Sequence, residues 1–214
     1  MKYLDKIHSP KDLKKIPVSE LNQVCSELRH YIIDTINKIG GHLAPTLGTI
    51  ELTTAVHYVF NAPKDKIVWD TGHQAYAHKV LTGRFSEFHT IRKYKGLSGF
   101  LKRSESEYDI FGAGHASTSI SAALGIASAR NLNNENYKVV SIIGDGALSG
   151  GLAFEALNNA GNVRKQLLVI VNDNDMSISP NLGAFRNYLV KIATNRKYNN
   201  CLLYTSDAAD DFDC

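Results

Sequence analysis

Two short apolar runs constrain this chain more than any other feature of it. VVSII at 139–143 and LLVIV at 167–171 bracket a helical stretch at 151–160 that Gly161 closes. Neither run alternates polar with apolar residues, which is the pattern of strands buried on both faces, and a strand–helix–strand unit of this length joins parallel neighbours. The expected fold class is therefore α/β, a parallel sheet flanked by helices. Strands are read at 66–69, 138–143 and 167–171, and helices at 19–39, 49–60, 74–81 and 117–130. In the first helix Leu21, Val24, Leu28, Ile32, Ile36 and Ile39 fall on one face, with Ser19 as the N-cap and Gly40-Gly41 as the stop.

With 43% hydrophobic and 21% charged residues over 214 positions, the composition is that of an ordinary globular domain. The formal charge of +3 hides an uneven spread, because four of the 21 acids crowd into residues 201–214. That tail, CLLYTSDAADDFDC, breaks all periodicity and resembles translated sequencing-adaptor DNA. It is read as a non-native or disordered tail after an incomplete N-terminal domain, 1–200. The remaining mild basicity suits a phosphorylated ligand and is too diffuse for nucleic acid. Cys25, Cys201 and Cys214 make no disulfide framework. No run is long enough to span a bilayer, and the start lacks a secretory apolar segment. The expectation is a soluble, cytoplasmic protein with no nucleic-acid or membrane partner.

The sharper question is why Gly144-Asp145-Gly146 puts a charge at the mouth of a buried strand. Ligands of parallel sheets bind beyond the carboxyl ends of the strands. A dinucleotide loop needs G-x-G-x-x-G, whereas the spacing here is Gly144, Gly146, Gly150, and the lysine of a Walker loop is absent. Asp145 would repel a bare diphosphate. A divalent cation removes the conflict, since magnesium shares its six oxygens between protein groups and substrate phosphates. The end of the next strand, VNDNDMSIS, offers Asn172, Asp173, Asn174 and Asp175 as further ligands.

The histidines give a second signal. Three of the eight follow glycine, at His42, His73 and His115, against about 0.6 expected by chance. Glycine frees the backbone to aim an imidazole into a cleft, and imidazole transfers protons near neutrality. His73 and His78 are about 140° apart on a helix, which argues against a zinc pair. His8, His30, His57, His78 and His89 are read as capping or solvated residues.

GDG followed 29 positions later by the second Asn of NDN resembles the thiamine-diphosphate motif of transketolase-like enzymes. The resemblance implies that Asp145, the Asn174 side chain and the Met176 carbonyl hold Mg2+, and that Gly146, Ala147 and Asn174 meet the diphosphate. The segments GGHLAPTLGTIELTTAVHYVF, WDTGHQAYAHKVLTGR, KRSESEYDIFGAGHASTSISAALG and GDGALSGGLAFEALNNAG are similar to the 1-deoxy-D-xylulose-5-phosphate synthase family across residues 5–200. That family condenses pyruvate with D-glyceraldehyde 3-phosphate and releases CO2, feeding isoprenoid, thiamine and pyridoxal synthesis, as a homodimer. The resemblance further implies that His73 contacts the cofactor near the reacting carbon. Gly114, His115 and Ala116 line the pocket, and His42 transfers protons and orients substrate. The first-turn amides of 117–121 serve a plain N-cap, with some capacity for an anion.

Transketolase, or the N-terminal subunit of a split transketolase, is the alternative; its pattern carries Glu five residues after the GDG aspartate, where Gly150 stands. A nicotinamide-dependent domain is a third reading. The glutamate that activates the aminopyrimidine, and the arginines that grip substrate phosphate, belong by resemblance to a second domain beyond this chain. Glu155 is read as solvated or packing. The expectation is a chain that holds the metal and diphosphate half of a site and does not turn over substrate alone.

Overall fold

A computed structural model of the chain describes residues 1–163, 165–173, 191 and 194–195. Asn174, Met176 and the tail 201–214 lie outside the described residues. Three parallel strands, β1 (Lys66–Trp69), β2 (Val139–Gly144) and β3 (Leu168–Asn172), form one sheet in the order β1-β2-β3. The chain is thus α/β with a parallel sheet flanked by helices, as the apolar runs predict. β2 is central and buries five of its six residues, which is why its run shows no alternation. Its register sets Trp69 beside Ile142 and Gly144 beside Asn172. All three strand ends therefore meet at one rim: Asp70, whose amide donates to the Ile142 carbonyl at 2.8 Å, then Gly144-Asp145, then Asn172-Asp173.

The helices are α1 (Pro10–Leu13), α2 (Leu21–Ile39), α3 (Ala44–Leu47), α4 (Ile50–Val59), α5 (Tyr76–Lys79), α6 (Ser119–Leu132), α7 (Asp145–Leu148) and α8 (Gly151–Val163). On one sheet face α6 presents Ala123 and Ala127 to Val68 and Val139, small residues that let the helix sit close. On the other, Trp69, Val140 and Ile142 pack with Val56, Ala75 and Leu101. The predicted face of α2 buries Val24, Leu28, Ile32 and Ile36 against Leu13, Ile50, Tyr76 and Phe88. Fully burying one such side chain contributes about 1.5–3 kcal/mol. Among the described residues no helix is long and apolar enough to cross a membrane.

Several boundaries differ from the sequence reading. Ser19 is not an N-cap: Pro17 opens a 3-10 turn, Val18–Glu20, that runs directly into α2. Gly40 does end α2, at φ 77°. Gly161 does not end α8, which continues to Val163. The helix read at 74–81 is α5 followed by a π-type turn, Val80–Arg84, in which Gly83 takes φ 94°.

The correction with most consequence concerns His57 and His78, which are fully buried rather than capping or solvated. His8, His30 and His89 are exposed. His57 Nε2 lies 2.9 Å from His78 Nδ1, and His78 Nε2 lies 3.1 Å from Asp109 Oδ1. Arg84 grips both oxygens of Asp109, at 2.8 and 2.9 Å, and shares Glu105 with Lys79. Burial works against the Asp109 carboxylate, but His78 and Arg84 outweigh it and hold the group below its ordinary range. An ionised Asp109 only accepts, so His78 carries its proton on Nε2 and offers a bare Nδ1 to the His57 Nε2–H. His57 Nδ1, which has no partner among the described residues, is then a lone pair and not a stranded donor.

The network also fastens a loop. The amide of Ser98 donates to Glu105 at 2.7 Å and that of Lys102 to Asp109 at 3.0 Å. Phe100, between them, sits 6.3 Å from the ring of His42.

Burial depresses both imidazoles, strongly at His57; at His78 the Asp109 carboxylate pulls the other way without prevailing. Each therefore stays neutral when the unfolded chain takes up a proton, below about pH 6.5. Their contribution to stability is complete above that pH and is lost as the solution is acidified, at up to about 1.4 kcal/mol per pH unit for each imidazole. Urea unfolding from about pH 8 to about pH 5 reads this, and His57→Gln is expected to make the acid limb shallower by about one proton. An unchanged slope would contradict the assignment.

Candidate functional site

The rim is built from three loops that follow β1, the segment before α6, and β2. β2 passes into α7 without a connecting residue: Gly144 is extended, at φ −76° and ψ 155°, and Asp145 is the first helical residue. Asp145 and Ala147 are half-buried and Gly146 is exposed. Since Gly144 pairs with Asn172, the turn Asp145–Ala147 stands beside the end of β3. The two strand ends expected to converge do so, and the following residues on the β3 side lie outside the described set. Among the described residues no group of three His, Cys, Asp or Glu is placed to hold a metal ion. Glu155 is exposed on α8.

The residue that sequence reasoning missed is Asp70. It is 1% exposed at the end of β1. Its Oδ1 accepts from the Ser117 amide at 2.9 Å and from Thr71 Oγ1 at 2.9 Å, and its Oδ2 accepts from the Ser119 amide at 3.0 Å. The amides at the start of α6 therefore do hold an anion, but it belongs to the protein. No side chain of the α6 segment itself caps the helix, and a carboxylate 49 positions away does so. The positive end of the helix dipole favours that placement. A signal was present, since an acid directly after the apolar run KIVW repeats the arrangement at Asp145.

Because Asp70 ties the start of α6 to the rim, the loop before it is brought there too. Gly114, His115 and Ala116 are all exposed on this loop. A Cβ at Gly114 would meet nothing within 4 Å, so the loop has open space in front of it.

His73 reaches the same end of the sheet through a tight turn. Thr71 and Gly72 take φ 61° and 69° in succession, and the Thr71 hydroxyl bond to Asp70 holds the first of these. A Cβ on Gly72 would come within 3.1 Å of Ala113 Cβ and the Leu101 nitrogen, and at φ 69° it would be strained as well, so the turn favours glycine. Thr46 then donates to the His73 carbonyl at 2.9 Å, joining this turn to the segment that carries His42. The two rings meet edge to face with centroids 5.7 Å apart. His42 is exposed and His73 half-buried, with its Nδ1 buried and unpartnered among the described residues. His115 shares no ring contact with the pair among those residues. The structure thus brings His42 and His73 together and leaves His115 on the adjoining loop.

Burial, then the neighbouring His42, push the His73 pKa below its ordinary value, with Asp70 opposing. A neutral imidazole can accept a proton at one ring nitrogen and donate one from the other.

A family model described as 1-deoxy-D-xylulose-5-phosphate synthase matches residues 4–210. Proteins of that name are similar to this chain. The one from Carboxydothermus hydrogenoformans is 61% identical over 196 residues, covering 92% of this chain and 32% of the relative. Those from Alkaliphilus oremlandii and Dictyoglomus turgidum are 58% and 59% identical, covering 92% and 91% of this chain and 32% of each relative. The chain thus spans about a third of the length of the curated relatives it matches.

Histidine proton resonances followed through a pH titration test the coupling of the two rings. His73 is expected to titrate below the ordinary imidazole range, and His42→Gln to raise its midpoint by removing the neighbouring charge. A midpoint that stays or falls would contradict a pKa-lowering effect of His42 on His73.

Proposed function

The chain belongs to the 1-deoxy-D-xylulose-5-phosphate synthase family, and from that premise we propose that it forms the metal and diphosphate half of a thiamine-diphosphate site. The whole activity is that of a transferase of the transketolase type, which condenses pyruvate with D-glyceraldehyde 3-phosphate and releases CO2. The observation that carries this reading is the placement of Asp145 beside the β3 end, at the ligand-facing rim of a parallel sheet.

The residues fit the group. Asp145, the Asn174 side chain and the Met176 carbonyl are hard oxygen donors of the kind magnesium takes alongside substrate phosphates. Gly146, Ala147 and Asn174 would hold the diphosphate, and Gly114, His115 and Ala116 would line the rest of the pocket. The Nδ1 of His73, buried and unpartnered among the described residues, suits a hydrogen bond to bound cofactor. When bound, thiamine diphosphate supplies the electron sink that decarboxylation of a 2-oxo acid requires.

Around that chemistry the chain's own groups divide the work. His73, kept neutral by its burial, offers a ring nitrogen to the reacting region. His42, exposed and within ring contact of it, orients substrate and moves a proton to or from solvent. Residues 1–200 are read as the cofactor-binding part and 201–214 as a tail foreign to the native sequence, and the working enzyme is a cytoplasmic homodimer.

Calorimetry with thiamine diphosphate, with and without magnesium, tests the proposal. Affinity is expected to depend on the metal and to fall at least about tenfold in Asp145→Ala, equivalent to about 1.4 kcal/mol. NAD is expected to give no heat. An alanine variant with unchanged affinity and unchanged cation requirement would remove the basis of the reading.

A further inference from the structure

Gly150 follows Asp145 by five positions and joins α7 to α8. A Cβ placed there would overlap the Ser117 hydroxyl oxygen and lie 2.9 Å from Ser117 Cβ. Ser117 cannot easily retreat. Its amide donates to Asp70 at 2.9 Å and its hydroxyl donates to the Ala147 carbonyl at 2.6 Å. It is 6% exposed and takes φ 71°, a left-handed conformation that a residue with a Cβ adopts only when its surroundings impose it. The Gly150 amide approaches the same Ala147 carbonyl at 3.3 Å. One carbonyl of the Asp145–Ala147 turn is therefore fixed from two sides. A single chain of hydrogen bonds runs from the end of β1, through Asp70 and Ser117, into that turn.

We infer that Ser117 is the positioning residue of the Asp145–Ala147 turn, and that position 150 is glycine because Ser117 occupies the volume a side chain would need. The inference rests on the reading of that turn as the metal and diphosphate loop. It assigns Ser117 an effect exerted through Ala147 and no contact with ligand. It also makes a serine at 117 in this conformation and any side chain at 150 mutually exclusive, so the glutamate of the transketolase pattern has no room here.

The test is a two-residue cycle on the 214-residue chain, with magnesium pyrophosphate as the probe. Ser117→Ala removes the hydroxyl alone and is expected to weaken binding by about threefold to tenfold. Gly150→Ala is expected to weaken it by more than about tenfold, because the collision displaces the turn. Ser117→Gly with Gly150→Ala removes the collision, and the double variant is expected to bind no worse than Ser117→Gly alone. A purely structural loss would add instead. Emission from Trp69, the single tryptophan and 1% exposed at the end of β1, reports that each variant is folded. If Gly150→Ala unfolds, recovery of the fold in the double variant upholds the steric claim.

The amide resonances of Gly146 and Ala147, recorded without ligand, separate this inference from the function it rests on. A wild-type chain that takes no magnesium pyrophosphate defeats the reading of the loop. Positioning is then decided by those amides: displacement in Ser117→Ala upholds it, and unmoved resonances overturn it. Wild-type affinity in both single variants, or additive losses in the double, also overturns it.

Discussion

A carboxylate shut away from water must find hydrogen-bond donors or the fold loses several kcal/mol. Asp70 meets that demand by drawing donors from two separate loops, and the geometry of the rim follows. The Ser117 and Ser119 amides fix where α6 begins, and hence where the loop with Gly114, His115 and Ala116 must lie. The Thr71 hydroxyl stabilises a left-handed residue, which with Gly72 turns the chain sharply and presents His73. Two loops remote from each other in sequence thus share one anchor at a strand end.

The segment between the Phe88–Thr90 turn and α6 contains no long helix and no strand, although loops longer than about 12–15 residues without such structure are uncommon in compact domains. Buried charge takes the place of a backbone ladder there. Glu105 binds a loop amide with one oxygen and the cations of Lys79 and Arg84 with the other, while Asp109 takes a loop amide on one oxygen and Arg84 on both. Such ion pairs add little net stability when their desolvation is counted, but breaking one leaves a buried charge without compensation. Their role is to make one loop conformation far better than its rivals. The imidazoles of His57 and His78 extend that network toward Trp69, whose ring lies 5.7 Å from His78.

The strands were legible to within a residue or so, because apolar runs and glycine punctuation are local features. The GDG turn was legible for the same reason, being defined by the strand it ends. His57 and His78 were not, since their burial depends on each other across 21 positions and on Asp109 across 31. Nothing in the helical spacing of either residue distinguishes an imidazole that faces a carboxylate from one that faces water. Asp70 is a different case. KIVW followed by Asp carries the same signal as VVSII followed by Gly-Asp, an acid at the mouth of a buried strand. Glycines flank Asp145 on both sides, whereas Asp70 stands between Trp69 and Thr71 with no such local mark.

These two acids end neighbouring strands and do different work, and the difference is set by what stands opposite each. Asp70 faces the first amides of a 14-residue helix, which supply both the donors and a favourable dipole, and it is consumed in construction. Asp145 is itself the first residue of the four-residue α7, half-buried next to the end of β3. The link between them is Ser117, bonded to one acid directly and to the turn of the other through Ala147. Because that serine sits where a side chain at 150 would project, the steric choice that separates this chain from the transketolase pattern is made by the same residue that couples the buried acid after β1 to the turn after β2.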